Sequence, residues 1–560
     1  MLNLCLGVLV CHLVTAIPVT RPLAYIKVPD GSGNTRPFLG TADRIAYDYD
    51  EEYLYVIGGR SETLHIVDLQ DPSNPIITYS RTFNEITDGI PKAISLCRSG
   101  QIQQVAIAFA SRTRLNEGHV EVFRPFERFD QTLPLLGRVS TESDPVAVEF
   151  DSTCSRFVVA CEGLPGRRNN NFEDPLAHVD IFERNVDAWT KYTINFQTAR
   201  GLENARYVFR DPSDAQHSVV NDLEPSDITI DDNNMVYVTL MENNALAVFN
   251  LNNLVGGVDI YSLGTKDWNN FDIDTSDQDQ SISPDRINMV RRNIRSFFQP
   301  GAVISLNFGG NVFLATANTG AVKRYTAAVD GVDFTEAVRA STIDPNLFDP
   351  SLDSGLVADI NSNAALGRLY VSSLQIDSDG WNPIYGYFSQ FYAYGGRSWS
   401  LWDATSGSQQ WDSGSDLEYE AQLYSASVFN GDCTSVNLSP PQALDTRSDD
   451  KGPEPKAIAT TLFGSDQIVA VGSGRMGAIY IYKLSESEAP GFPQGEFQSY
   501  NRLGDINGNW GQLYDNNEAG TPFINDLKFI VTKTGQTLLL AVGSQMGVVA
   551  VHELLEGMFP

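Results

Sequence analysis

The dominant pattern along the chain is a series of short runs in which apolar and polar residues alternate with period two. They are rich in β-branched residues and broken by Gly, Asn, Asp and Pro. Alternation places every second side chain on one face of an extended strand, so it predicts half-buried β-strands. No stretch sustains the period of about 3.6 residues that an amphipathic helix needs.

The runs recur as a unit. A Pro often opens it, an apolar strand follows, then a polar turn, a strand ending in small residues, a second turn and a last apolar strand. Copies are PKAISLCRSGQIQQVAIAF from Pro91, PVAVEFDSTCSRFVVACEG from Pro145, PSDITIDDNNMVYVTLMENNALAVFNL from Pro225 and PGAVISLNFGGNVFLATANTGAVKRY from Pro300. PKAIATTLFGSDQIVAVGSGRMGAIYIYKL from Pro455 and INDLKFIVTKTGQTLLLAVGSQMGVVAVHEL from Ile524 continue the series. With LYVIGGRSETLHIVDL from Leu54 and GRLYVSSL from Gly367 the units number about eight, a repetition that means a propeller or a solenoid. Each unit is a small antiparallel sheet that cannot bury both faces alone, and radial packing solves this with few exposed edges. The expected fold is all-β: a single β-propeller of seven or eight blades with long face loops, spanning residues 17–560. An array of two-sheet sandwiches is the alternative, disfavoured because one unit repeats along nearly the whole chain. Polar insertions at about 164–178, 185–222, 262–298, 330–352, 376–392, 403–453 and 485–520 would gather on the two faces, where ligands are met.

Composition sharpens this picture. Hydrophobic residues make up 42% and charged residues 19%, which excludes global disorder. The net charge of −31 argues against a nucleic-acid partner and against docking on anionic lipid, and it suits cations. Residues 1–16, MLNLCLGVLVCHLVTA, contain no Asp, Glu, Lys or Arg. Their apolar run ends in Val14 and Ala16, spaced as in a cleavage site, so a signal peptide is expected there, a buried first strand being the other reading. No stretch reaches the roughly 20 apolar residues of a membrane span, and HELLEGMFP does not read as a lipid-anchor tail. The expectation is a secreted extracellular protein without a membrane anchor.

Cleavage would leave Cys97, Cys154, Cys161 and Cys433, an even number in an oxidising compartment. Cys154 and Cys161 bracket the strand-like SRFVVA, which holds them roughly 23 Å apart at about 3.3 Å per residue, beyond disulfide reach. Each is expected to pair with a distant partner or to stay free, and the pairing is open. The sequon Asn437-Leu438-Ser439 marks Asn437 as a glycosylation candidate.

Several clusters carry candidate chemistry. NNFDIDTSDQDQ, residues 269–280, sets Asp272, Asp274, Asp277 and Asp279 close together, hard oxygen ligands suited to Ca²⁺. It is not an EF-hand, because Asp277 stands where the turn Gly belongs and Ser283 where the Glu belongs. A solvated acidic loop is the plainer reading. In DTRSDDKGPEP, residues 445–455, Asp445, Asp449, Asp450 and Glu454 interleave with Arg447 and Lys451; the loop binds metal or phosphate, or locks itself by ion pairs. In YGGRSWSLWDA, residues 394–404, Arg397, Trp399 and Trp402 form a binding platform or a core with Arg397 paired to a buried acid. Glu162 stands at a strand end, with Arg167 and Arg168 on the excursion that follows. There is no GxSxG, HExxH or P-loop, and the six His are scattered. A hydrolase built on carboxylate-bound Ca²⁺ needs no His, so catalysis stays open.

The segments LEPSDITIDDNNMVYVTLMENNALAVFNL (223–251), SDQDQ (276–280), YGGRSWSLWDA (394–404), WDSGSDLE (411–418) and RSDDKGPEP (447–455) occur in this order. On them, from about residue 40 to 553, the chain resembles the mesenchyme-specific cell-surface glycoprotein family of biomineralising tissues, which has mollusc-shell relatives and bacterial choice-of-anchor homologues. The resemblance implies an extracellular β-propeller associated with calcified tissue. Family members often read Asn-Glu-Gly at blade strand ends. Here Glu162-Gly163 and Glu242-Asn243 remain, while Thr319, Gly474 and Ser544 stand at the later positions and Lys456-Ala457 follows GPEP. A depleted carboxylate ring favours a matrix or binding role. The expected function is therefore a secreted acidic extracellular-matrix protein that binds Ca²⁺ or calcium carbonate mineral, with other matrix proteins as partners. A metal-dependent phosphoesterase and a protein-binding scaffold are the alternatives.

Overall fold

The computed structural model describes residues 17–84, 87–169, 171–185 and 188–557. The expected signal peptide, residues 1–16, lies outside the described residues.

The chain is all-β and propeller-like. Among the described residues, seven four-stranded antiparallel sheets follow one another. Their first strands are Arg44–Asp48, Ile90–Ser99, Pro145–Phe150, Pro225–Ile230, Ala302–Phe308, Pro455–Phe463 and Ile524–Val531, numbered here as sheets 1 to 7. Each first strand packs against the next, and Ile524–Val531 of sheet 7 packs back against Arg44–Asp48 of sheet 1. The fourth strand of sheet 7 is Ile17–Lys27, which runs antiparallel to Val548–Gly557 with Ile17 opposite Gly557. The two ends of the described chain thus share one sheet.

A separate apolar cluster fills the gap between each consecutive pair of sheets. Leu54 and Val56 of sheet 1 meet Leu538 and Val542 of sheet 7, and Tyr55 and Ile57 meet Val105 and Ile107 of sheet 2. This two-sided burial explains why middle strands such as Tyr53–Gly58 are buried at every position, whereas the outer strand Ile76–Thr82 alternates between exposed and half-buried. Period two therefore marks outer strands, and continuous apolar runs mark inner ones.

The long insertions around sheet 5 fold rather than dangle. Thr265–Asp267, Arg295–Phe297, Tyr392–Ala393, Tyr370–Ser372 and Ala337–Arg339 form a five-stranded sheet, over a cluster that includes Trp268, Ile360, Leu369 and Phe391. The expected unit GRLYVSSL from Gly367 supplies Tyr370–Ser372 to this sheet instead of opening a four-stranded one. Cys97 on sheet 2 is disulfide-bonded to Cys154 in the first turn of sheet 3, and Cys161 and Cys433 are free and buried. Among the described residues, no helix is long and apolar enough to cross a membrane.

Candidate functional site

First strands of the repeat begin with an irregular register, at Pro91/Ala93, Pro145/Ala147, Pro225/Ile228 and Pro455/Ala457. Proline cannot donate to the ladder and restricts the residue before it, so the chain enters each strand through a fixed bend. An acid stands in that bend at Asp144, Glu224 and Glu454. Asp144 and Glu454 adopt φ of 52° and 49°. A second slot lies just past the second strand, and here Glu162 follows Arg156–Cys161 and Glu242 follows Met235–Leu240. Sheets 3 and 4 are neighbours, so both slots face one place. Ligand oxygens of Glu162, Glu224 and Glu242 all lie within 4.8 Å of one another, the one such group of acids, His or Cys among the described residues.

Hydrogen bonds hold the frame around this group. The Glu162 N–H donates to the Asp144 carbonyl at 2.9 Å. Asn243 Oδ1 accepts from the Glu224 N–H at 3.1 Å, and its Nδ2 donates to the Arg206 carbonyl at 2.9 Å. Lys323 donates from Nζ to Asp222 Oδ1 at 2.8 Å and pairs with Glu224 Oε1 at 2.9 Å. Tyr325 donates to the same Glu224 oxygen at 3.2 Å. Behind Lys323, the buried Arg206 pairs with Glu336 and Asp379.

These cations leave part of the negative charge unmatched. Burial drives the Glu162 carboxyl well above the usual range, and Glu224 and Asp144 push it further. Glu242 is raised well above its usual range by burial, then by Glu224 and Glu162. Burial lifts Asp144 to about 6. Glu242 Oε2 and Asp144 Oδ2 are buried without a hydrogen-bond partner among the described residues. Like-charged carboxylates in a desolvated place either take up protons or share a cation. Three carboxylates with spare oxygens suit a hard divalent ion that prefers oxygen ligands.

The acidic loop at 269–280 is arranged differently. Asp277 is held by Arg368 through two contacts, at 2.9 and 3.0 Å. Asp272 accepts from the Tyr419 hydroxyl and lies 3.8 Å from Arg291. Asp274 accepts from the Ser276 and Asn288 N–H groups at 3.3 and 2.8 Å, and burial raises it to about 7. Asp279 is buried, and both its carboxylate oxygens lack a hydrogen-bond partner among the described residues. Asp445 is in the same condition, with Arg286 4.0 Å away. Burial, then Asp274, raises Asp445 to about 9.

In the 445–455 loop, Arg447 pairs with Asp450 and, at 3.2 Å, with Glu454. Lys451 and Arg475 reach Glu454 at 3.2 and 2.7 Å. Burial alone would raise Glu454, but Lys451, Arg475 and Arg447 outweigh it and bring it to about 2. Asp449 lies 2.7 Å from Arg339 and 3.0 Å from Arg368.

Arg397 is the junction of these motifs. Its Nη1 donates to the Asp274 carbonyl at 2.6 Å and to Glu418 Oε1 at 2.9 Å, and its Nη2 to the Ser448 carbonyl at 2.7 Å. The 269–280 loop, the 394–404 and 411–418 segments and the 447–455 loop thus meet around one guanidinium. Trp399 and Trp402 are buried in the sheet-5 interfaces. Asn437 is exposed.

Sequence reasoning identified Glu162 and Glu242 but missed Glu224. The available signal was its place directly before the unit-opening Pro, the position of Asp144 and Glu454.

Comparison with known proteins gives a consistent set of likenesses. The choice-of-anchor I domain profile matches residues 43–487. Gigasin-3a of Magallana gigas is 31% identical over 203 residues, covering 35% of this chain and 68% of that protein. The mesenchyme-specific cell surface glycoprotein of Strongylocentrotus purpuratus is 29% identical over 321 residues, covering 54% of this chain and 40% of that protein. Among solved structures, the RRP9 WD40 repeats align with a TM-score of 0.44 and 8% identity, covering 96% of this chain and 100% of the other.

Proposed function

The chain belongs to the choice-of-anchor I domain family, and from that footing we propose that it is a secreted acidic extracellular-matrix protein of biomineralising tissue that binds Ca²⁺. We read the seven four-stranded sheets as the blades of one closed ring, with Glu162, Glu224 and Glu242 at its mouth. The observation that carries the calcium reading is the convergence of these three carboxylates within 4.8 Å. The spare Glu242 Oε2 is the kind of oxygen a hard cation would complete. The similar sea-urchin protein is named as a cell surface glycoprotein, which supports an extracellular setting. The charge of −31 would draw divalent ions toward the molecule over a wider range. In the 269–280 loop, Asp274 and Asp279 are the carboxylates left for a second cation, because Arg368 and Tyr419 hold Asp277 and Asp272.

Isothermal calorimetry tests the assignment. Wild type should take up Ca²⁺ saturably, Glu162→Gln/Glu242→Gln should lose the tightest step, and Asp274→Asn/Asp279→Asn should lose a separate, weaker one. Superimposable isotherms for wild type and the first variant would refute the site. A matrix role also requires that p-nitrophenyl phosphate is not turned over. Hydrolysis that a chelator abolishes would instead establish a phosphoesterase.

A further inference from the structure

The ring mouth is not acidic all the way round. Where sheets 1, 2, 3 and 7 begin, a cavity of about 520 Å³ opens, lined by Arg44, Arg60, Lys92 and Arg112 together with Asp43 and Glu62. Both acids are engaged. Glu62 pairs with Arg112, and Asp43 accepts the Gly59 N–H at 2.7 Å. Lys92 is exposed, and its ammonium has no hydrogen-bond or ion-pair partner among the described residues.

Lys456 adds to this field from sheet 6. It sits 4.7 Å from the Phe523 ring with no ion pair among the described residues. Burial lowers it to about 8, offset in part by Glu454, while Arg44, Lys451 and Arg475 reinforce the lowering. Arg44, Lys456 and Lys92 all act on Asp43. In a chain with 70 acidic and 39 basic residues, such a concentration of cations on one cavity is a local reversal of sign. Guanidinium forks and ammonium groups that converge on a concave surface recognise oxyanions. Val146 lines the cavity two residues past Asp144, whose carbonyl accepts the Glu162 N–H, so this cavity adjoins the carboxylate group, and the Lys92 charge acts on Asp144 and Glu162.

We propose that the cavity is a seat for a small oxyanion, carbonate or orthophosphate, held by Lys92, Arg44, Arg60 and Arg112 beside the Glu162–Glu224–Glu242 group. The ring mouth then receives both halves of a calcium salt, cation on sheets 3 and 4 and anion on sheets 1 and 2. The pairing of the two ions rests on the calcium reading above, whereas the anion seat stands on its own cations.

Calorimetry on the full chain tests this with orthophosphate and bicarbonate titrated separately, first in calcium-free buffer and then with Ca²⁺. Wild type is expected to bind at least one of them saturably with one-to-one stoichiometry, and more tightly with Ca²⁺ present. A response to phosphate alone, to bicarbonate alone or to both supports the seat and assigns its ion. Lys92→Gln/Arg60→Gln should weaken the anion at least tenfold while saturable Ca²⁺ uptake is retained, and Lys92→Arg should stay within threefold of wild type. Glu162→Gln/Glu242→Gln should keep anion binding in calcium-free buffer. A wild type that binds the anion but takes up no Ca²⁺ would overturn only the calcium reading. Flat titrations with both anions, or equal affinity in wild type and Lys92→Gln/Arg60→Gln, would overturn the seat.

Discussion

Lys323 extends its ammonium to within 2.9 Å of Glu224 Oε1, and both side chains are almost wholly enclosed. This pair is the hinge between the carboxylate group and the buried network behind it, since Lys323 also holds Asp222 at 2.8 Å. Removing one partner of a buried charge pair strands the other, at a cost of about 3–5 kcal/mol. Lys323→Met should therefore destabilise the chelator-treated protein by about that much, and added Ca²⁺ should restore part of the loss. Urea unfolding with and without Ca²⁺ measures both; a variant as stable as wild type in chelator would show that the pair carries no net stabilisation.

The pH dependence has a definite sign. Burial raises Asp144 to about 6, Asp274 to about 7 and Asp445 to about 9. An unfolded Asp titrates near 3.9, roughly, so between pH ~4 and each of these values the native state holds protons the unfolded state has released. Stability from these groups is complete below pH ~4 and is lost as pH rises through 6, 7 and 9. Glu454, lowered to about 2, acts oppositely and loses its contribution as pH falls below the usual carboxylate range. In chelator the melting temperature should peak near pH ~5 and fall by several degrees toward pH ~9, and Ca²⁺ should flatten that fall. Calorimetric scans across this range check it, and a melting temperature that rises from pH ~5 to ~9 would contradict the assignment.

Arg397 binds four carbonyl or carboxylate partners from three segments at 2.6 to 3.1 Å. Lysine has one charged nitrogen and cannot reproduce a planar fork. Arg397→Lys should therefore cost about 3 kcal/mol or more, close to Arg397→Ala, because Glu418 is left buried. Hydrogen exchange should quicken at 272–280 and 445–455 together. Unchanged exchange in either segment would show that the guanidinium does not join them.

The thiols offer a chemical check. Cys97 and Cys154 are bonded, while Cys161 and Cys433 are buried and burial raises both thiols above their usual range. A chain starting at residue 17 should expose no reactive thiol when native and two when unfolded without reductant. Reducing the Cys97–Cys154 bond, which closes a loop of 57 residues, should cost about 2–4 kcal/mol. Four reactive thiols on unfolding would mean the bond does not form.

Much of the fold could be read from the residues because strands are local. The alternation in Ile76–Thr82 and the unbroken apolar run Tyr53–Gly58 each report the environment of one strand. Prolines 91, 145, 225 and 455 mark where first strands begin, since a missing N–H shows itself without any partner. GRLYVSSL misled for the same reason: a strand-forming segment does not declare which sheet it will join.

The sequence by itself thus determined the all-β class, the repeating unit, the negative charge and the acids at strand ends. Only the tertiary structure decided that Glu162, Glu224 and Glu242 share one place while Asp272 and Asp277 turn to Tyr419 and Arg368. The reason is physical. Strand formation depends on a few neighbouring residues, whereas the meeting of charges depends on how separate sheets pack and on which cations that packing brings within reach.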